Sequence, residues 1–164
     1  MRALALLAVV AFLAGCGDDS PAPMAEKQAE SREQRPATEP EAAPKPAAAV
    51  RVVDSQFGRI LADRRGQALY LFAKETSARS ECYGECAKAW PPLFTDGKPV
   101  ARSGARRGLL GTTKRRDGRL QVTYRGHPVY LYEHDSPGKV LCHNVPEFGG
   151  LWLVVQPNGR PAPA

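Results

Sequence analysis

Apolar positions fall along this chain in three regimes. The first is unbroken: Ala3 to Leu13 is a single apolar run behind one basic residue, Arg2. A membrane-spanning helix needs about 20 such residues, so the run predicts a secretory signal over residues 1–15, closed by small side chains. The second regime has no apolar pattern. Residues 17–49 hold Pro21, Pro23, Pro36, Pro40, Pro44 and Pro46 among Ala, Glu, Gln and Ser, with no aromatic residue. Such a stretch buries too little apolar surface to offset its ordering entropy. It predicts a disordered, partly polyproline tether over 16–49, with a root-mean-square span of roughly 30 Å as a flexible coil. A helix over Met24 to Glu33 lacks the required periodicity.

The third regime, residues 50–164, alternates. Ile60 to Ala62 and Leu120 to Tyr124 are short β-prone runs, each followed by Arg-Gly, where glycine supplies the positive φ of a tight turn. The return strands, Ala68 to Phe72 and Val129 to Tyr132, put Leu69 and Leu71 on one face and Tyr70 and Phe72 on the other, and likewise Val129 and Leu131 against Tyr130 and Tyr132. Leu151 to Val155 is apolar on both sides, as a central strand should be. Ser80 to Ala89 predicts a short helical segment, with serine as a cap and Pro91-Pro92 as the stop.

These elements come in duplicate. Displaced against itself by 60 residues, the domain aligns Gly58-Arg59 with Gly118-Arg119, Arg65-Gly66 with Arg125-Gly126, Tyr70-Leu71 with Tyr130-Leu131, and Cys82 with Cys142. Phe72 then faces Tyr132 and Glu75 faces Asp135; after a two-residue insertion Trp90 corresponds to Trp152. The fold class predicted is mostly β: two pseudo-symmetric β-hairpin repeats, about 55–94 and 115–156, forming one small domain.

Two resemblances sharpen this picture. Leu13-Ala14-Gly15-Cys16 resembles a bacterial lipobox, which implies cleavage before Cys16 and attachment of lipid to it. Gly17 follows in place of the aspartate that retains lipoproteins in an inner membrane, which implies the outer membrane in a cell with two. The domain resembles the bacterial "secreted repeat of unknown function" family of predicted lipoproteins, recognised by a Tyr-x-aromatic-x-x-Asp motif in each repeat. Tyr130-Leu131-Tyr132-Glu133-His134-Asp135 fits that motif, and Tyr70-Leu71-Phe72-Ala73-Lys74-Glu75 fits with Glu in place of Asp. Cys82 to Ala87 followed by Trp90-Pro91-Pro92-Leu93, and Phe148-Gly149-Gly150 before Trp152, resemble the family as well. The resemblance implies architecture and address but no activity.

Charge separates the two exported regions. The tether carries 4 basic and 7 acidic residues, net −3, whereas residues 50–164 carry 18 basic and 10 acidic, net +8. Much of the excess lies over 102–119, in Arg102, Arg106, Arg107, Lys114, Arg115, Arg116 and Arg119. That segment suits anionic lipid headgroups or lipopolysaccharide phosphates; a solvated basic loop is the plainer reading. Export takes the chain away from nucleic acid.

Candidate chemistry centres on three cysteines, since Cys16 is committed to lipid. An exported domain sits in oxidising surroundings, where pairing is the default, but three leaves one thiol over. A Cys82–Cys86 bridge closes a short loop worth about 2 kcal/mol in the chain-entropy model, and a bridge from either to Cys142 closes a longer one worth roughly 4 kcal/mol. The family resemblance favours Cys82–Cys86, because that doublet belongs to the family pattern, while Cys142-His143 departs from it. Three readings remain open. In the structural one, Cys142 is buried or idle. In the second, Cys142 and His143, with Cys82 and Cys86, hold a soft metal such as copper or zinc, or haem iron. In the third, Cys142 is a redox thiol.

Other candidates are weaker. His127 reads as an exposed turn histidine, and His134 between Glu133 and Asp135 as a cation site or a solvated strand end. Glu75 and Asp135 should hydrogen-bond backbone groups in the turn that follows. Tyr70/Phe72 and Tyr130/Tyr132 form either a ligand platform or core. No nucleophile elbow, phosphate loop or zinc-protease helix is present. The function expected is a lipid-anchored, non-enzymatic binding or interaction module of the bacterial envelope. The alternatives are a metal- or haem-binding, electron-transferring lipoprotein and an envelope thiol oxidoreductase.

Overall fold

Strand alternation and tight turns build three small sheets in the structure, a computed structural model that describes residues 46–163. The signal 1–15, Cys16 and the tether as far as residue 45 lie outside the described residues. The strands are β1 (Ala49–Ser55), β2 (Gly58–Asp63), β3 (Tyr70–Phe72), β4 (Val100–Ala101), β5 (Leu110–Lys114), β6 (Leu120–Tyr124), β7 (His127–Pro128), β8 (Val145–Glu147) and β9 (Gly150–Val154). Their sheet orders are β2-β1-β4, β5-β6-β7 and β3-β9-β8. All pairs are antiparallel except β1 with β4. A helix of one turn, α1 (Glu85–Ala89), and a 3-10 turn (Arg107–Leu109) complete the set.

The duplication is visible in the register. β1 and β2 of the first repeat correspond to β5 and β6 of the second, and in both the second strand turns back through Arg-Gly. Gly66 and Gly126 take φ of 95° and 79°, as those turns require. Return segments then pair with the end of the other repeat. β3 pairs with β9, and residues 129–133 pair with the chain around Trp90: Leu93 N donates to Val129 O, Leu131 N to Pro91 O and Glu133 N to Ala89 O. Tyr70 and Tyr130 join the halves by exchanging both backbone hydrogen bonds, each at 2.9 Å. This pair marks the pseudo-twofold axis.

Alternation sorts side chains onto the two faces of this seam. Tyr70, Phe72, Tyr130, Trp90, Trp152 and Val154 fill one core. Leu69, Leu71, Val122, Val129 and Val155 fill the other. β9 contributes to both, which is why it is apolar on both sides.

Local details differ from the sequence reading. Ser80 caps nothing: α1 starts only at Glu85, its N-cap is Gly84 without a side-chain bond, and the Ser80 hydroxyl donates instead to Gln121 Oε1 at 2.7 Å. Strand β1 begins at Ala49, and Ala48 N is tied to Thr95 Oγ1 at 3.0 Å, so the ordered domain takes in the last alanines before Val50. Strands β5 and β8 arise where the sequence offered no alternation; β5 (Leu-Gly-Thr-Thr-Lys) forms because β6 gives it a ladder to pair with.

Candidate functional site

The family-motif residues converge on the seam, and they do so crosswise. Tyr70 of the first repeat donates its hydroxyl to Asp135 Oδ2 of the second at 2.5 Å. Tyr130 of the second donates to Glu75 Oε1 of the first, also at 2.5 Å. Each carboxylate in turn accepts a backbone N–H six residues further on: Glu75 Oε1 from Glu81 at 2.7 Å and Asp135 Oδ1 from Leu141 at 2.9 Å. The expectation that both acids fix the following turn therefore holds. The reach to the other repeat's tyrosine was not visible in the spacing. All four side chains are buried, with Tyr70 and Tyr130 at 0% exposure and Glu75 and Asp135 at 2% and 8%.

The remaining motif aromatics obey the same crossing. Trp90 and Trp152 stack face to face at 4.1 Å between ring centroids and 2° between planes. Phe72 stacks on Trp152 of the other repeat at 4.3 Å, and Tyr132 lies against Trp90 at 4.7 Å. Each motif tyrosine meets its own repeat's tryptophan edge-on, Tyr70–Trp90 at 5.1 Å and Tyr130–Trp152 at 5.2 Å. Stacked and T-shaped pairs of this kind add about 0.5–1.5 kcal/mol each beyond area burial. The aromatic rows are thus core; only Tyr132 keeps an exposed edge.

Burial sets the electrostatics. Desolvation raises the Glu75 and Asp135 carboxyls above their ordinary values, against the lowering effect of the hydrogen bonds they accept. Tyr70 and Tyr130 are pushed well above the usual phenol range, first by burial and then by the facing carboxylates. Tyr132 is pushed up to about 12, chiefly by its hydrogen bond with Cys142. Such phenols stay protonated at neutral pH and serve as donors.

A second buried polar group lies beside this seam. Arg115 is 5% exposed. Its Nη1 donates to Gln121 Oε1 at 2.6 Å and its Nη2 to the Cys82 carbonyl, while Nε has no partner. Gln121 also takes the Ser80 hydroxyl and donates to Val129 O at 3.0 Å. Composition gave no sign that one arginine of the basic run would turn inward. Its neighbours face outward over aromatic rings: Arg116 lies 4.6 Å from the Tyr83 centroid and Arg119 3.3 Å from that of Phe94.

Cys82 and Cys86 form a disulfide with Cα atoms 5.3 Å apart, and Cys142 is the free cysteine among the described residues. The proposed metal or haem ligands are not assembled. Cys82 and Cys86 hold no thiolate. His143 uses both ring nitrogens, Nδ1 accepting from Val154 N at 3.1 Å and Nε2 at 2.8 Å from the Pro163 carbonyl, so Nε2 carries the hydrogen. Among the described residues no group of three or more His, Cys, Asp and Glu is placed to hold a metal ion. Burial raises the Cys142 thiol above its ordinary value, opposite to the depression that makes a thiol reactive. The Glu133–His134–Asp135 trio is split: Glu133 and His134 approach to 3.5 Å at the surface while Asp135 points inward. His127 is half-buried, its Nδ1 3.1 Å from Glu75 O.

Comparison with known proteins agrees with this duplication. Residues 51–93 and 111–156 each match a family described as a secreted repeat of unknown function. No curated protein and no solved structure matches the chain. Among the described residues no helix is long and apolar enough to cross a membrane.

Proposed function

The chain belongs to the family of secreted repeats of unknown function, and from that premise we propose that it is a lipid-anchored, non-enzymatic interaction module of the bacterial envelope. Cys16 carries the lipid, the polar segment between it and the domain sets the domain off from the membrane, and the outer membrane is its site in a cell that has two. The observation that supports a module over an enzyme is the crosswise closure of the motif. Both tyrosines and both carboxylates bond to one another across the seam, so the groups most able to do acid–base chemistry are spent on holding the two repeats together. The cysteines support the same reading, with two joined and the third held protonated by burial.

The address is tested by expressing the chain with its own signal in a bacterium and weighing the mature product. The mass expected is that of residues 16–164 plus acyl groups, in the membrane fraction, and Cys16→Ser should release the chain or leave its signal uncleaved. An unmodified, freely soluble wild type overturns the anchored reading. The module is tested by offering the purified protein haemin, Cu(I) and Zn(II): no stoichiometric uptake is expected, and a Soret band or a tightly held metal lost in Cys142→Ser would replace it with the cofactor reading.

A further inference from the structure

We propose that the end of the domain where the tether enters is a docking face for anionic phospholipid headgroups, built from Arg116 and Arg119 on their aromatic supports and from Arg64, Arg65 and Lys98 around the entry point. The inference rests on the anchored-module reading, because the anchor gives the face something to meet.

The tether enters among these residues. Pro46 lines two shallow grooves of about 290 Å³ each. One also holds Arg64, Arg65 and Phe94, and the other Phe94 and Arg119. Two residues on, Ala48 N donates to Thr95 Oγ1, which donates to Gly97 O at 2.9 Å, setting exposed Lys98 beside the entry strand. An anchor at the N-terminus therefore joins the domain at this end, among these basic residues.

Among the described residues these arginines have no acidic partner, and Arg116 and Arg119 are held over aromatic rings. None of the arginines among the described residues has a carboxylate oxygen within 4.0 Å; the ion pairs there involve only Lys74, Lys88 and His134. The acids at this end do not neutralise them in place. Asp63 Oδ1 accepts the backbone N–H of Arg65 and Gln67, Asp117 accepts that of Arg119, and Asp96 stands alone at the surface. Arg119 Cζ sits 3.3 Å from the Phe94 ring centroid and Arg116 Cζ 4.6 Å from that of Tyr83. A guanidinium fixed on a ring keeps its N–H edge toward solvent at little further cost in side-chain entropy, which suits bidentate binding of a phosphate. Buried Arg115 also packs on Tyr83, its Cζ 4.2 Å from the ring centroid, while its own nitrogens bond to Gln121 and the Cys82 carbonyl. The tether itself is acidic, so the attraction to the membrane belongs to the domain.

The test uses the mature chain without lipid, residues 17–164, so that it does not depend on acylation of Cys16; lipid on Cys16 is read separately by mass. Co-sedimentation is measured with vesicles of phosphatidylethanolamine and phosphatidylglycerol and with phosphatidylcholine alone. Binding to the anionic vesicles only is expected, falling as salt is added. One basic group near an anionic surface is worth roughly a fivefold change in partitioning, so Arg116→Gln with Arg119→Gln should weaken binding roughly 25-fold. The control removes the same charge at the far end of β6, Arg125→Gln with Arg160→Gln, and should change binding by less than about fivefold. Equal losses in the two double variants, or equal binding to neutral vesicles, overturn the docking face. Binding to dispersed lipopolysaccharide with none to phosphatidylglycerol overturns the phospholipid assignment.

Discussion

The two repeats secure the same motif by different means. After Glu75 the first repeat closes its loop covalently, through Cys82–Cys86, and runs through α1 to Trp90. After Asp135 the second has a lone cysteine at the position equivalent to Cys82 and reaches Trp152 through the β8–β9 hairpin. Its loop is tied down by many weak bonds: Gln56 Nε2 to Val140 O at 2.9 Å, Asn144 N to Trp152 O at 2.9 Å, and the two bonds of His143. Phe57 of the first repeat packs on His143 at 4.5 Å. One covalent link and a set of non-covalent ones thus do the same job, and the departure at Cys142-His143 that looked like a ligand pair is the non-covalent counterpart of the disulfide.

The acids differ in a related way. Asp135 uses one oxygen for Tyr70 and the other for the Leu141 N–H. Glu75, one methylene longer, takes both Tyr130 and the Glu81 N–H on Oε1 and leaves Oε2 buried without a partner. Exchange of Asp for Glu in the motif therefore keeps the cross-repeat bond but loses a tidy division of the acceptors. Trp90 and Trp152 show the reverse bias: Trp90 Nε1 donates to Glu147 at 2.8 Å, whereas Trp152 Nε1 is unpartnered.

Substitutions can break this balance, starting at its shared centre. Trp152→Ala should cost about 3–5 kcal/mol, because it removes the ring between Phe72 and Trp90; urea unfolding of the secreted chain reads this directly. A cost under 1 kcal/mol would contradict a stacked seam. Tyr70→Phe and Tyr130→Phe should each cost about 1.5–3 kcal/mol. Combining Tyr70→Phe with Asp135→Asn should cost less than the sum of the two single changes, whereas combining it with Glu75→Gln should be closer to additive. Coupling to the same repeat's acid instead would refute the crossing.

The loops come next. Cys82→Ser with Cys86→Ser should lose about 2 kcal/mol, with Cys142→Ser nearly neutral. His143→Ala should cost about 1 kcal/mol through its two bonds. Reversal of that order would mean that Cys142, not the disulfide, holds the structure.

Smallest is a pH effect. A carboxyl whose folded value is raised binds its proton more tightly when folded. Its contribution to stability is therefore complete below the ordinary carboxylate range near 4 and is lost as pH rises through the elevated folded value. Glu75 and Asp135 both make the domain slightly less stable at neutral pH than in mild acid, so Glu75→Gln should flatten the urea midpoint against pH, and an unchanged slope would discharge Glu75 from that role.

Much of this was legible in the chain. Alternation in Leu69 to Phe72 and Val129 to Tyr132 fixes which side chains share a face, and the 60-residue offset pairs Cys82 with Cys142 and Glu75 with Asp135. What misled were residues whose local pattern fits several environments. Ser80 has the chemistry of a helix cap but sits within reach of Gln121, and Arg115 stands in a run of solvent-facing cations but packs beneath Tyr83. Close approach also escapes the pattern: a Cβ on Gly150 would come within 2.7 Å of the Phe72 ring, so glycine there is a packing requirement of the seam.

The sequence by itself determined the secondary pattern, the duplication and the cast of motif residues, because period-2 alternation and repeat identity are local properties of the chain. Only the tertiary structure decided that each tyrosine bonds the other repeat's acid and that each return strand pairs with the other repeat's tryptophan segment. A repeat carries the same local instructions in both copies, so nothing within it distinguishes its own partner from its twin's. Closure of the two halves around Tyr70 and Tyr130, where the backbone hydrogen bonds are exchanged, makes that choice.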